Sequence, residues 1–414
     1  MSHKHAMIIL YLICASVVLG LLAGWYFGED ILVIEWMGTL FLNALKMTII
    51  PLIMAAVISG VASLGDVRKL GRPGGLTMLY YMITTFIAVT IGLVAVNVIQ
   101  PGEGVERSIE SVSAGLAVAD SAGGQGVVDI VLSMVSPNLV ASAVDLQLLP
   151  LVFFAVVFGA AVTTIGKQGE SVIEFFDSLN GTMMTIVGWI MYFSPLGVFA
   201  LVATPLGEAG GGPAFIATVS AVGSYVMTVL IGLSVHAVVL FAILVLVGRR
   251  GLSYLKDVAR ALLTAFGTAS SSATLPITME CTHEHGLHER SVRFVLPLGS
   301  TVNMNGTALY EAVAALFIAQ VYGVDLSLSD QIIVALTATM AAIGAAGIPQ
   351  AGQVTMLIVL SAVGLPAEGI GLLLSVDWFL DRFRTTVNVW GDAVGAAVMN
   401  KTMIMHGDNI ELKA

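Results

Sequence analysis

The stretch TASSSATLP, Thr268–Pro276, interrupts an apolar run that extends from about Tyr254 to Met279. A helix crossing a bilayer is stabilised by Leu, Ile and Val in its interior, whereas serines and a proline leave backbone groups free. The run therefore reads as two half-helices joined by a tip. A second run, from about Asp330 to Leu365, is broken in the same way by GAAGIPQAG, Gly344–Gly352. Irregular backbone is tolerated at membrane depth only where it is buried in protein or lines a cavity. These two breaks decide the fold class: an all-α integral membrane protein with two re-entrant helical hairpins set among eight transmembrane helices.

Composition agrees. Of 414 residues, 57% are hydrophobic and only 11% charged, and the apolar runs are continuous rather than alternating, which favours spanning helices over a barrel. Eight long apolar segments start near Met7, Trp36, Leu76, Val127, Phe175, Pro213, Arg293 and Ala367. The first is long enough to span, so the N-terminus reads as a span and not a cleaved leader. The formal charge of −10 carries little partner information, nothing supports nucleic-acid binding, and two cysteines, Cys14 and Cys281, imply no disulfide framework.

Loop charge fixes the orientation. With eight spans and two re-entrant hairpins, Lys4, Arg68, Lys69, Arg72, Lys167, Arg249, Arg250, Lys256, Arg260, Arg290, Arg293, Lys401 and Lys413 fall on one side, and Arg107 alone falls opposite. Positive-inside bias then places both termini in the cytoplasm, and the expected location is the inner (plasma) membrane. Each hairpin is followed by a span, once from inside and once from outside, which makes an inverted repeat. Such repeats with interrupted helices point to a transporter whose site lies between the two tips.

The last span carries the strongest chemical signal, DRFRTTVNVWGDAVGAAV, Asp381–Val398. At about 100° per residue, Asp381, Arg384, Thr385, Asn388 and Asp392 share one helical face. Charges at membrane depth are costly and mark substrate or ion pathways. Arg384 can clamp a carboxylate with its planar fork, Asp381 can hold an ammonium group, and Asn388 and Asp392 supply oxygens; a structural ion-pair cluster is the alternative. Arg382 projects elsewhere, toward Asp381 or a neighbouring helix. In the preceding span, TVNMNGTALYEA from Thr301 puts two amides and a glycine where a helix interior is disfavoured, which suggests local unwinding or a polar kink. Glu311 in that span reads as a proton or cation site. The first tip offers Ser270, Ser271 and Ser272, whose half-helix N-terminus suits a carboxylate, although serines also serve helix packing. The second tip, poor in bulk, is a gate candidate. CTHEHGLH, Cys281–His288, has metal-ligand spacing but borders charged loop residues and reads as a solvated turn. His236 reads as hydrogen-bonded packing, and Lys46 as a snorkelling or paired lysine.

Through SSSATLP, NMNGTALYEA, GAAGIPQAG and DWFLDRFRTTVNVWGD the sequence closely resembles the glutamate transporter family, the dicarboxylate/amino acid:cation symporters, over nearly the whole chain. The resemblance implies a homotrimer of elevator-type protomers embedded in membrane lipid. Residues 1–75 and 127–205 (spans 1, 2, 4 and 5) would form a scaffold and trimerisation domain, residues 76–126 and 206–405 a transport domain, and residues 406–414 a cytoplasmic tail. It also implies site roles. Arg384 looks like the partner of the substrate side-chain carboxylate and Asp381 that of its amino group, with Thr307, Thr385, Asn388, Ser271, Ser272, Ile348 and Gly352 as further substrate contacts. One sodium site resembles Asn388 and Asp392 with the carbonyls of Gly299, Asn303 and Asn388. A second uses hairpin-tip carbonyls with Thr301 and Met304. A third uses Tyr81, Thr84, Thr85 and Asn303 with an acidic residue. The chain departs from the family there, since NMDGT reads NMNGT and Asn305 supplies no charge. Arg382 and Glu311 resemble animal members, Glu311 at the position tied to proton and potassium coupling. The long extracellular insertion of animal members is not evident between Pro101 and Leu149, which points to a prokaryotic source.

The expected activity is cation-coupled symport of aspartate or glutamate, with Na⁺ as coupling ion, H⁺ and K⁺ as alternatives, and no cofactor. A C4-dicarboxylate or neutral amino acid symporter and an anion channel are the competing readings. Ser270–Ser272 have no histidine partner to make an enzyme.

Overall fold

The computed structural model describes residues 3–62, 71–103, 132, 135–144, 148–208, 212–344 and 351–405. All regular structure among them is helical. Long apolar segments have no other economical way to satisfy backbone N–H and C=O groups away from water.

Helices α1 (His3–Phe27), α2 (Glu35–Ala62), α4 (Leu139–Val144), α5 (Leu148–Thr164), α6 (Lys167–Tyr192) and α7 (Ser194–Glu208) form one packed group: α1 lies on α7, and α2 on α5, α6 and α7. A second group comprises α3 (Gly71–Ile99), α8 (Gly212–Ile243), α9 (Leu252–Thr268), α10 (Ser271–Glu284), α11 (Glu289–Val302), α12 (Asn305–Val321), α13 (Leu328–Gly344), α14 (Ala351–Ala362) and α15 (Ile370–Met405). Here α15 packs on α8, α9, α11 and α12, and α3 packs on α8 and α12.

Among the described residues, Gly74–Ile99 and Val219–Gly248 are individually long and apolar enough to cross a membrane, and α6 and α7, bent by 59°, make a third when taken as one span. The fourth apolar segment, expected from Val127, is represented by α4 and α5; residues 127–131 lie outside the described set. The exterior is apolar, with Leu246, Val238, Leu263 and Trp189 all largely exposed. A surface of that kind fits lipid rather than water.

Both sequence breaks are helix junctions. Helix α9 ends at Thr268, Ala269 turns into the left-handed region (φ 49°), and Ser270 caps α10 by accepting the Ala273 N–H at 3.1 Å. A side-chain acceptor at this position meets one of the four orphan donors of the new helix. The two arms fold back on one another, as do α13 and α14 across the second break. Most of that second tip, residues 345–350 with Ile348 and Pro349, lies outside the described residues. The third junction is the expected unwinding: α11 stops at Val302, Asn303 and Met304 leave helical geometry, and α12 starts at Asn305.

Candidate functional site

Helix α15 is pinned by side chains that donate into its backbone carbonyls. Tyr80 reaches Gly391 at 3.1 Å, Tyr254 reaches Ala393 at 2.6 Å and Ser291 reaches Ala396 at 2.7 Å. Helix α12 abuts it closely, since a Cβ on Gly306 would run into the Arg384 backbone. Only glycine lets two backbones approach that far. The polar face of α15 is thereby turned inward, and Asp381, Arg384, Thr385, Asn388 and Asp392 are all buried.

Arg384 is at the centre. Its Nε donates to Asp381 Oδ1 at 2.8 Å, one Nη donates to Asp377 Oδ1 at 2.9 Å, and its guanidinium lies 4.5 Å from the centroid of the Tyr310 ring. The second Nη is buried and has no hydrogen-bond partner among the described residues. Gly352, at the end of the second tip, abuts the guanidinium so closely that a Cβ would touch it. Asp381 also lies 3.5 Å from the Thr385 hydroxyl. A buried guanidinium with one uncommitted donor, flanked by two carboxylates and covered by a glycine, is equipped for a carboxylate ligand.

One turn further, Asn388 ties α15 to the unwound junction. Its Oδ1 accepts the Gly306 N–H at 2.7 Å, and its Nδ2 donates to Thr307 Oγ1 at 3.1 Å and Met304 Sδ at 3.3 Å. The next polar layer joins Asp392 Oδ1 to Asn303 Nδ2 at 2.9 Å, and Asn303 Oδ1 lies 3.5 Å from Thr84 Oγ1. Gly299 faces this carboxylate and the Tyr81 hydroxyl, and a Cβ there would collide with Asp392. Thr85 donates to Asn305 Oδ1 at 2.7 Å, while Asn305 Nδ2 is buried without a partner among the described residues. Oxygen-rich layers of this kind suit a hard monovalent cation.

Tyr81 meets the same layer through its carbonyl, which accepts from the Thr84 hydroxyl at 3.2 Å, while its own hydroxyl donates to the Val295 carbonyl at 2.6 Å. Thr301 donates to the Leu298 carbonyl at 3.1 Å. Ser271 is buried at the first tip, but Ser272 is exposed. Of the two partners expected for Arg382, it takes the neighbouring helix and not Asp381. It is half-buried and donates to the carbonyls of Phe266 and Gly267, both at 3.0 Å, which supplies a cation where the first hairpin arm ends. Glu311 is fully buried, with one oxygen bonded to the Thr355 hydroxyl of α14 and the other unpartnered among the described residues. His236, expected to be hydrogen-bonded, is buried with neither ring nitrogen partnered among the described residues. The side chain of Lys46 lies outside the described set. In the histidine-rich turn, His285 pairs with Asp257 at 2.5 Å and His288 Nδ1 accepts from the Arg290 N–H.

The sequence pattern of the sodium:dicarboxylate symporter family matches residues 9–402. The chain belongs to that family. Among similar proteins are an excitatory amino acid transporter of Caenorhabditis elegans, 37% identical over 95% of this chain and 87% of its own length, and excitatory amino acid transporter 1 of Ambystoma tigrinum, 39% identical over 87% and 76%. Human excitatory amino acid transporter 3 is 37% identical over 88% and 78%. The chain of this symporter family is thus a membrane transporter and not an enzyme, as its motifs indicated.

Three further residues join the candidate site. Asp377 is seven residues before Arg384, hence about 20° away on the same face, and extending the helical projection by two turns finds it. Tyr310 is one residue before Glu311 and gave no polar signal. Thr355 gave none either, since a threonine in an apolar arm is ordinary.

Proposed function

We propose that the protein is an elevator-type symporter that carries aspartate or glutamate into the cell with Na⁺. What supports this reading best is Arg384, buried, with one donor uncommitted and the second tip against it. The substrate side-chain carboxylate takes the free Nη, and Asp381 takes the amino group. Thr307, Thr385, Asn388, Ser271 and Ile348 contribute the remaining contacts. Sodium binds where Asn388 and Asp392 meet the carbonyls of the unwound junction, and at the layer of Thr84, Thr85, Asn303 and Asn305. Eight spans and two re-entrant hairpins, with both termini cytoplasmic in the plasma membrane, form each protomer of a homotrimer. The α1, α2, α4–α7 group is the fixed scaffold; the group around α15 moves.

Labelled aspartate uptake into proteoliposomes under an inward Na⁺ gradient, competed by glutamate and by succinate, tests the substrate class. Uptake blocked by glutamate and not by succinate is expected; the reverse order makes the protein a dicarboxylate carrier.

Asn305→Asp restores a charge where the amide Nδ2 is an orphan, and keeps the acceptor for Thr85. The Na⁺ concentration for half-maximal uptake falls by on the order of ten-fold, because ligand charge sets affinity at oxygen sites; an unchanged sodium curve removes this layer from the ion path. Glu311→Gln keeps the acceptor for Thr355 but cannot carry a proton. Uptake by the variant should be flat across a pH series over which the parent protein responds, and a retained response moves the proton elsewhere.

A further inference from the structure

On the outer side of the α15 group, α8, α9 and α15 enclose a cavity of about 330 Å³ whose walls include Ala237, Val238, Phe241, Leu255, Leu262 and Trp390. Thr386 also lines it, with its hydroxyl tied to the Arg382 carbonyl at 2.8 Å, so the wall it presents is a methyl group. Trp390 is held in place by its indole N–H, which donates to the Ala237 carbonyl at 3.2 Å. Val238 is 67% exposed at the opening, on a face of the molecule that is otherwise apolar.

Three basic residues lie close in the chain to the wall residues Leu252 and Leu255. Arg249 and Arg250 form the turn between α8 and α9, and both backbone N–H groups close on the Leu244 carbonyl, with Arg249 in the left-handed region (φ 53°). Leu252 and Leu255 of the next turns line the cavity, so Arg250 lies two residues from one wall position and Lys256 adjoins another. None of the three forms an ion pair among the described residues; the neighbouring Asp257 is taken by His285, and Glu280 and Glu284 by Arg260.

An apolar slot with the exposed Val238 in its wall, and with basic residues free of ion pairs next to its wall residues in the chain, matches one ligand chemistry: an acyl chain carrying a negatively charged head. We propose that this cavity is a binding site for an anionic phospholipid, with an acyl chain against Trp390 and Val238 and the phosphate against Arg249, Arg250 and Lys256. The lipid bridges α8, the first hairpin arm and α15, so its occupancy stiffens the contact between them.

The test uses the full chain in phosphatidylcholine vesicles that contain a minor fraction of phosphatidylglycerol with brominated acyl chains, or the same fraction of brominated phosphatidylcholine. Bromine quenches tryptophan at contact, and the Trp390 component is the difference from Trp390→Phe. Brominated phosphatidylglycerol should quench that component at several-fold lower mole fraction, since one basic residue near the headgroup gives about a five-fold preference. Arg249→Gln/Arg250→Gln/Lys256→Gln should erase the preference. Val238→Phe, which fills the opening at an exposed position, should reduce quenching by both lipids. Equal quenching by the two lipids, no Trp390-dependent quenching, a preference that survives the triple substitution, or quenching indifferent to Val238→Phe each overturns the assignment.

Discussion

Arg384→Ala abolishes uptake of acidic amino acids and leaves, or creates, uptake of small neutral ones. Two effects combine. The donor that receives the substrate carboxylate is gone, and a charge-assisted bond of this kind is worth about 1.5–3 kcal/mol, so its loss alone lowers apparent affinity by on the order of 10- to 100-fold. Asp377 and Asp381, both bonded to the guanidinium in the parent protein, are also left buried without their cation. Removing one partner of such a pair costs about 3–5 kcal/mol of stability. Competition by neutral amino acids distinguishes the two, since a variant that still exchanges serine or alanine has folded. Unchanged aspartate affinity defeats the assignment of Arg384. Arg384→Lys does not restore the parent affinity, because a lysine is a point charge without the planar fork.

Asp392→Asn raises the Na⁺ concentration for half-maximal uptake by more than the roughly 10- to 100-fold that loss of a supporting contact costs at a metal site. The substitution is close to isosteric, and the Asn303 Nδ2 bond at 2.9 Å can pass to the new amide oxygen. Thermal stability should therefore change little while the sodium dependence moves, so a sodium effect with unaltered unfolding temperature separates an ion ligand from a packing residue. An unchanged sodium curve removes Asp392 from the ion path.

Much of this was legible in the residues. Serines and prolines inside apolar runs announced both hairpins, because a spanning helix has no use for them, and Asn303–Gly306 announced the unwound junction. The spacing of Asp381, Arg384, Thr385, Asn388 and Asp392 put them on one face, and the structure buries all five. What stayed hidden depends on contacts between distant segments. Arg382 finds the end of α9, 115 and 116 residues away, rather than Asp381 beside it. Helical projection alone cannot say which neighbouring element supplies the partner. Glu311 finds Thr355 for the same reason. Ser272, one position from the buried Ser271, is exposed because consecutive helical residues point about 100° apart.

If the buried Arg384–Asp381 pair and the oxygen layers beneath it couple an acidic amino acid to sodium, the coupling is read from uptake of labelled aspartate and glutamate into proteoliposomes, with Na⁺, H⁺ and K⁺ gradients imposed separately. Concentrative, saturable uptake driven by an inward Na⁺ gradient is expected, and it should collapse when Na⁺ is equal on both sides. Full concentrative uptake with no Na⁺ present, driven by H⁺ alone, rules out sodium coupling.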